Sequence, residues 1–154
     1  MNLALKKKFV IAALLCAAIV CGSVLLYFSW PQTVLPDGFD TAHVRSVTVS
    51  VFQPWVDKTL HKEVDDAAGI TAVADAVRQL HYNRGSRHSE ILGGGWSIQV
   101  VFSMNDGTSV PVCASASGSG DAVEVLFPDG EKYYGTWPGI QLLWDSLNYP
   151  VQEG

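Results

Sequence analysis

The stretch WSIQVVFSMNDG, residues 96–107, decides the fold of this 154-residue chain. Its first part is rich in β-branched and aromatic side chains, a composition that favours a strand. Asn105-Asp106-Gly107 then predicts a tight turn, and residues 108–114 predict the strand that returns beside the first. This hairpin pattern indicates an antiparallel sheet.

The hairpin is flanked by further strand patterns. VRSVTVSVF, residues 44–52, alternates valines with polar residues, and a short second strand is predicted at 58–64. After the hairpin, the turns SASGSGD and Pro128-Asp129-Gly130 separate predicted strands at 122–127 and 132–134. The sheet is therefore expected to continue as a meander.

Two helical patterns complete the domain. Apolar residues at helical spacing predict a helix over 67–81, and Pro138 favours the start of a last helix because its missing N–H costs little there. A polar loop, RGSRHSEILGGG, is predicted between the first helix and the hairpin. The element order is β-(β)-α-β-β-β-β-α, which predicts an α+β domain with about 4–6 antiparallel strands packed against two helices.

The N-terminus predicts a membrane anchor. Lys6, Lys7 and Lys8 precede an uncharged run, Phe9 to Phe28, which as a helix covers roughly 30 Å, the thickness of a bilayer core. A removable signal peptide usually has a shorter apolar region, so retention is favoured over cleavage after Ser23. Lipid attachment at Cys16 or Cys21 is the third alternative; a bulky residue precedes each cysteine, which favours the interpretation of both as small apolar residues of a span.

The charges around this run predict its orientation. The lysines lie before it and residues 29–33 carry no charge, so the positive-inside rule places the N-terminus in the cytoplasm and the remainder outside. We therefore expect a single-pass protein of the cell membrane. Its predicted parts are a basic stub and anchor (1–30), a linker (31–42) and an extracytoplasmic α+β domain (43–154).

The composition of the exported part excludes some partners. Beyond residue 30, seven Lys and Arg face fifteen Asp and Glu, a formal net charge of −8. Nucleic acids and anionic lipid surfaces need basic patches, so neither is expected as a partner. Cys113 is the sole cysteine beyond the anchor, so no internal disulfide is possible there, which fits a bacterial surface better than an oxidising eukaryotic compartment.

Few residues predict chemistry. His81, His88 and Glu90 are the candidate ligands of a metal such as zinc, although the spacing of the two histidines crosses a predicted loop. Cys113 is a candidate thiol nucleophile, but its position in a predicted strand with Val110 and Val112 favours a buried structural role. No catalytic residue and no cofactor are predicted.

Aromatic residues are numerous for a small domain, and exposed aromatics anchor interfaces. Most are expected in the core. Trp55 and Tyr82 are the candidates for a surface that contacts a partner.

The lysine-led span, VRSVTVSVF, GITAVADAVRQLH (69–81), WSIQVVFSMNDG and EKYYGTWPGIQLLWDSL (131–147) together resemble a group of known domains. These are small extracytoplasmic domains of unknown function behind a single anchor in Gram-positive bacteria. The resemblance covers most of residues 44–148. It implies the same α+β layout and brings no catalytic residues to this chain.

These observations predict a membrane-anchored, extracytoplasmic, non-enzymatic module that binds a protein or a small ligand at the bacterial cell surface. The alternative is a small surface hydrolase or metal-binding enzyme that uses His81, His88 and Glu90, or Cys113. The two differ in one geometric requirement: the enzyme needs those side chains to converge in a cleft.

Overall fold

The computed structural model describes residues 3–53, 58–88, 96–116 and 120–153. The chain divides into two units, Met1–Trp30 and Pro31–Gly154. The first unit is one helix, α1, Leu3–Ser29. Its segment Val10–Ser29 has a mean hydropathy of 2.6, so α1 is long and apolar enough to span a membrane.

The second unit contains a nine-stranded sheet in which every neighbouring pair is antiparallel. Its strands are β1 Pro31–Thr33, β2 Val44–Gln53, β3 Lys58–Val64, β4 His81–His88, β5 Ser97–Met104, β6 Ser109–Ala116, β7 Ala122–Leu126, β8 Lys132–Thr136 and β9 Gln152–Glu153. Their order across the sheet is β1-β4-β8-β7-β6-β5-β2-β3-β9. The described part of this unit also contains two α-helices, α2 Ala67–Arg78 and α3 Ile140–Ser146, and a 3-10 turn at Thr41–His43.

The predicted α+β class is confirmed, but the predicted number of strands is too low. β1, β4 and β9 were not predicted. β4 lies in sequence assigned partly to the first helix and partly to a polar loop, and α2 ends at Arg78 rather than at His81. Residues 31–33, within the expected linker, pair with β4 as an edge strand. These strands form by pairing with neighbours and not by burying an alternating apolar face, so periodicity does not reveal them.

The core lies between one face of the sheet and the two helices α2 and α3. Alternate residues of the central strands point to this side, which we call the inner face, and they form one buried cluster with the helices. The largest fully buried members are Trp137, Phe102, Leu80, Ile98 and Ile140. Trp137 also satisfies its polar group, because its indole N–H donates to the Ala76 carbonyl oxygen at 2.8 Å.

A buried lysine fixes the end of α3. Lys62 of β3 is 7% exposed, and its ammonium donates to the carbonyl oxygens of Trp144 at 2.8 Å and Leu147 at 2.7 Å. It also lies 4.4 Å from the centre of the Trp144 ring. The last carbonyls of a helix lack intrahelical partners and attract positive charge. α3 has no basic residue in its own last turn, so a distant strand supplies the cation.

The start of α2 is held by its cap and by the C-terminal segment. Asp66 accepts a hydrogen bond from the backbone N–H of Gly69 at 2.9 Å, and the Tyr149 hydroxyl donates to the same carboxylate. The bond from Tyr149, together with that from Gly69, holds the pKa of Asp66 below its usual value. A Cβ at position 69 would overlap the Tyr149 hydroxyl and lie 2.6 Å from Val64 Cγ1, so only glycine fits here.

Candidate functional site

One face of the sheet carries no helix among the described residues, and we call it the open face. The pairing register places its side chains in rows that cross β2, β5, β6, β7 and β8. One row comprises Phe52, Ser97, Ser115, Glu124 and Tyr134; the next comprises Ser50, Gln99, Cys113, Leu126 and Lys132. Small polar residues therefore dominate its centre, while Phe52, Leu126 and Tyr134 are more than one third exposed.

Among the residues that the structure describes, the open face contains one buried carboxylate, that of Glu124. The residue is 5% exposed, and its Oε1 lies 3.4 Å from Nε2 of His88, whose side chain is 11% exposed. Among the described residues, no donor makes a hydrogen bond to Oε1. A buried carboxylate oxygen without a hydrogen bond is costly, so a residue of this kind often serves a purpose other than stability.

Packing on the open face positions the imidazole of His88. Its ring stacks on Tyr134, with ring centroids 4.0 Å apart and an angle of 14° between the planes. His88 lies on β4 and Glu124 on β7, with β8 between them, so the imidazole reaches across Tyr134 to meet the carboxylate. The neighbouring Arg87 holds the end of β4 to the β7–β8 turn through an ion pair with Glu131 at 2.8 Å.

An irregular segment of β4 precedes this contact. Tyr82 pairs with Gly135 and Arg87 with Tyr133, so β4 has more residues than β8 between the two pairs. The Ser86 hydroxyl lies within hydrogen-bond distance of the carbonyl oxygens of Asn83 and Tyr134, which closes this bulge locally. A Cβ at Gly135 would overlap the His81 carbonyl oxygen, so the close approach of the strands requires glycine at that position.

Cys113 lies on the open face and not in the core, contrary to the buried role that its position with Val110 and Val112 predicts. Val112 and Ala114 point to the inner face, so the residue between them must point away from it. Burial, and to a smaller extent the Glu124 carboxylate, raises the pKa of the half-buried Cys113 thiol. A catalytic cysteine needs the opposite shift, since the thiolate is the nucleophile.

Next to Cys113 the open face has a groove of about 410 Å³. Most of its lining is apolar and comes from Pro111, Leu126, Phe127 and Pro128. The groove continues the exposed apolar surface of Leu126. Its size and lining suit an apolar side chain.

The candidate metal ligands do not come together. His81 and His88 pair with Thr136 and Lys132, positions on β8 that are about 13 Å apart by strand rise. No group of three His, Cys, Asp or Glu side chains suited to a metal occurs in the described parts of the chain. Glu90, the third candidate, lies outside the described residues.

The backbone of Cys113 is equally far from the backbones of the two β4 histidines, although the His88 imidazole reaches across β8 to Glu124 on β7. β6 and β4 are separated by β7 and β8, which places the two backbones about 14 Å apart.

Of the two aromatic candidates, Trp55 lies outside the described residues. Tyr82 is half-buried, with its ring centroid 5.1 Å from that of Phe127 and 5.0 Å from that of Tyr133, so most of the ring packs against other aromatic rings.

Sequence reasoning missed Glu124 and Tyr134 as site residues. The alternation in AVEVL, residues 122–126, could have placed Glu124 opposite the buried Val123 and Val125. Its burial beside His88 could not have been found, because that depends on β4 being a strand of the same sheet.

The fold and the site define a class of protein: an α+β domain with one open sheet face, preceded in the sequence by a helix long and apolar enough to span a membrane.

No protein-family model matches this chain, no curated protein matches its sequence, and no solved structure matches its fold.

Proposed function

We propose that this protein is a membrane-anchored, extracytoplasmic module of a bacterial cell surface that binds a partner protein on the open face. The open face is the observation that carries the proposal. A sheet whose inner face is covered by two helices leaves its other face available, and that face presents Phe52, Leu126 and Tyr134 to solvent. Exposed aromatic and aliphatic side chains among polar ones are typical of protein interfaces.

The charge distribution supports the location. Within α1 three lysines precede the apolar segment Val10–Ser29, and the helix has no acidic residue in its first turn, a pattern that favours a cytoplasmic N-terminus. The acidic excess beyond residue 30 favours a protein partner over a nucleic acid or an anionic lipid surface. Protease treatment of intact cells tests this part: the proposal expects loss of the domain from whole cells, whereas full protection of the domain would contradict the proposed topology.

Site-specific photo-crosslinking tests the binding face. A photoreactive phenylalanine analogue placed at Phe52 or at Tyr134 of the full chain should capture the same partner on living cells. The control position is Leu142, which is 68% exposed on α3 and belongs to the opposite side of the domain. Capture at Leu142 but not at Phe52 or Tyr134 would place the interface elsewhere, and no capture at any of the three would contradict a protein partner.

A further inference from the structure

A second groove lies at one end of the sheet, away from the open face. It forms between residues 36–43 and the β5–β6 turn, and its volume is about 380 Å³. Volumes of this size hold small organic ligands. We call it the corner groove.

The floor of the corner groove is apolar. Phe39, Met104 and Val110 line it, and all three are half-buried against the core. The Phe39 ring makes an edge-to-face contact with Phe102, with ring centroids 5.0 Å apart. A ligand with a small apolar body would therefore cover surface that is already fixed in place.

The rim of the corner groove is acidic. Asp37, Asp40 and Asp106 line it, and none of its described lining residues is Lys or Arg. The only basic group in this lining is His43, which lies 3.7 Å from Asp40. Asp37 has no hydrogen bond or ion pair among the described residues. The rim therefore complements a positive charge.

The two walls are held together before any ligand binds. The backbone N–H of Asn105 donates to the His43 carbonyl oxygen at 2.8 Å, which joins the β5–β6 turn to the 3-10 turn. Asp106 accepts from the backbone N–H of Thr108 at 2.9 Å and from its hydroxyl at 2.6 Å. The Thr108 hydroxyl, with the N–H, holds the pKa of Asp106 below its usual value, so Asp106 keeps its charge in mildly acidic solution. A preformed groove loses little entropy on binding.

We propose that the corner groove binds a small organic ammonium ion, with its apolar body over Phe39 and Met104 and its charge at the rim formed by Asp37, Asp40 and Asp106. Neutral and anionic molecules of the same shape gain the apolar contact but not the charge interaction. This site is separate from the open face, and the proposal does not depend on the proposed partner or on the membrane topology.

The chain offers a convenient probe of this site. It has two methionines, Met1 and Met104, so methyl-labelled methionine gives one resonance from the groove and one from Met1. The full chain in phosphatidylcholine nanodiscs is titrated with benzylammonium, benzyl alcohol and benzoate. Benzylammonium should shift the Met104 resonance with saturation, benzyl alcohol should bind about three- to tenfold more weakly, and benzoate should bind weakest.

Substitutions of the rim carboxylates distinguish a site that recognises charge from nonspecific binding to an apolar surface. Asp106→Asn and Asp37→Asn should each weaken benzylammonium binding about threefold, as expected for one exposed charge interaction. Asp129→Asn is the matched control, because Asp129 also precedes a glycine in a turn and accepts the N–H of Glu131 at 3.0 Å, but lies outside the groove. It should leave binding unchanged. Asp37→Asn removes no hydrogen bond among the described residues, so it covers the case in which Asp106→Asn perturbs the turn.

Three results would overturn the proposal. The first is equal shifts of Met104 with benzylammonium and benzyl alcohol. The second is unchanged binding in both Asp37→Asn and Asp106→Asn. The third is a Met104 shift that depends on protein concentration alone, which would identify a second copy of the chain as the occupant.

Discussion

Lys62 on the inner face and Glu124 on the open face are the two buried charged residues of the described chain, and their surroundings differ. The Lys62 ammonium has two carbonyl acceptors and an aromatic ring, all supplied by α3 and the residue after it. The Glu124 carboxylate has an imidazole at 3.4 Å and no hydrogen bond to Oε1 from a described donor. A buried charge that makes its hydrogen bonds stabilises the fold. A buried charge that lacks one marks a face where stability was not the only requirement.

The largest expected effect comes from the inner face. Trp137→Ala should lower the free energy of unfolding by about 3–5 kcal/mol, because the fully buried ring leaves a cavity. Tyr134→Ala, on the open face and 43% exposed, should cost about 1 kcal/mol or less. Urea unfolding of the full chain in detergent micelles, followed by circular dichroism, measures both. Equal losses would show that the two faces do not differ in their contribution to stability.

Removing the buried ammonium should have the next largest effect. Lys62→Met keeps the length of the side chain but leaves the Trp144 and Leu147 carbonyl oxygens without their donor, at an expected cost of about 2–3 kcal/mol. Lys58→Met is the control on the same strand, since its ion pair with Glu153 is exposed and should be worth about 0.5 kcal/mol. If both substitutions cost the same in a urea titration, Lys62 does not fix the end of α3.

Removing the buried carboxylate should cost little. Glu124→Gln should change the free energy of unfolding by no more than about 1 kcal/mol in either direction, since the amide has the same shape, keeps an acceptor oxygen near the imidazole and removes the cost of a buried charge. His88→Ala should cost about 1–3 kcal/mol, because it leaves the buried carboxylate without its partner. Urea unfolding measures both substitutions. A larger loss of stability for Glu124→Gln than for Lys62→Met would show that Glu124, rather than Lys62, is the buried charge that stabilises the fold.

The smallest expected effect concerns the thiol on the open face. A raised pKa means that a smaller fraction of Cys113 is thiolate at any given pH, so it should react with a disulfide reagent more slowly than a free thiol at pH 8. Glu124→Gln should increase the rate only in part, because burial is the larger cause. The rates are measured by absorbance with Cys16 and Cys21 replaced by serine. A rate at or above that of a free thiol would contradict the raised pKa.

Sequence patterns predicted the elements whose own residues alternate. β2, the β5–β6 hairpin and α2 have apolar residues at the period of the element, and their inner positions are buried as that period requires. β4 has no such alternation: HYNRGSRH contains a glycine and two arginines and is bulged between its pairs with β8. Its strand state comes from pairing with β1 and β8, which no local pattern records.

The candidate site was predictable only in part. His88 was noted for its chemistry, but its partner was expected to be His81 or Glu90 rather than Glu124, which is 36 positions away in the sequence. Cys113 was expected in the core although the alternation of β6 itself points it outward. Contacts between residues far apart in sequence depend on strand order, and several orders are compatible with the same set of strands.

By itself the sequence determined the apolar helix, the α+β class, the inner residues of the central strands and the acidic charge of residues 31–154. These follow from local properties: the length of an apolar run, the period of apolar residues and the count of charges. The tertiary structure alone decided that Lys62 caps α3, that Gly69 must leave room for Tyr149, and that His88 meets Glu124 across Tyr134. Each of these contacts joins residues from separate elements, and its energy exists only after the chain has brought those elements together.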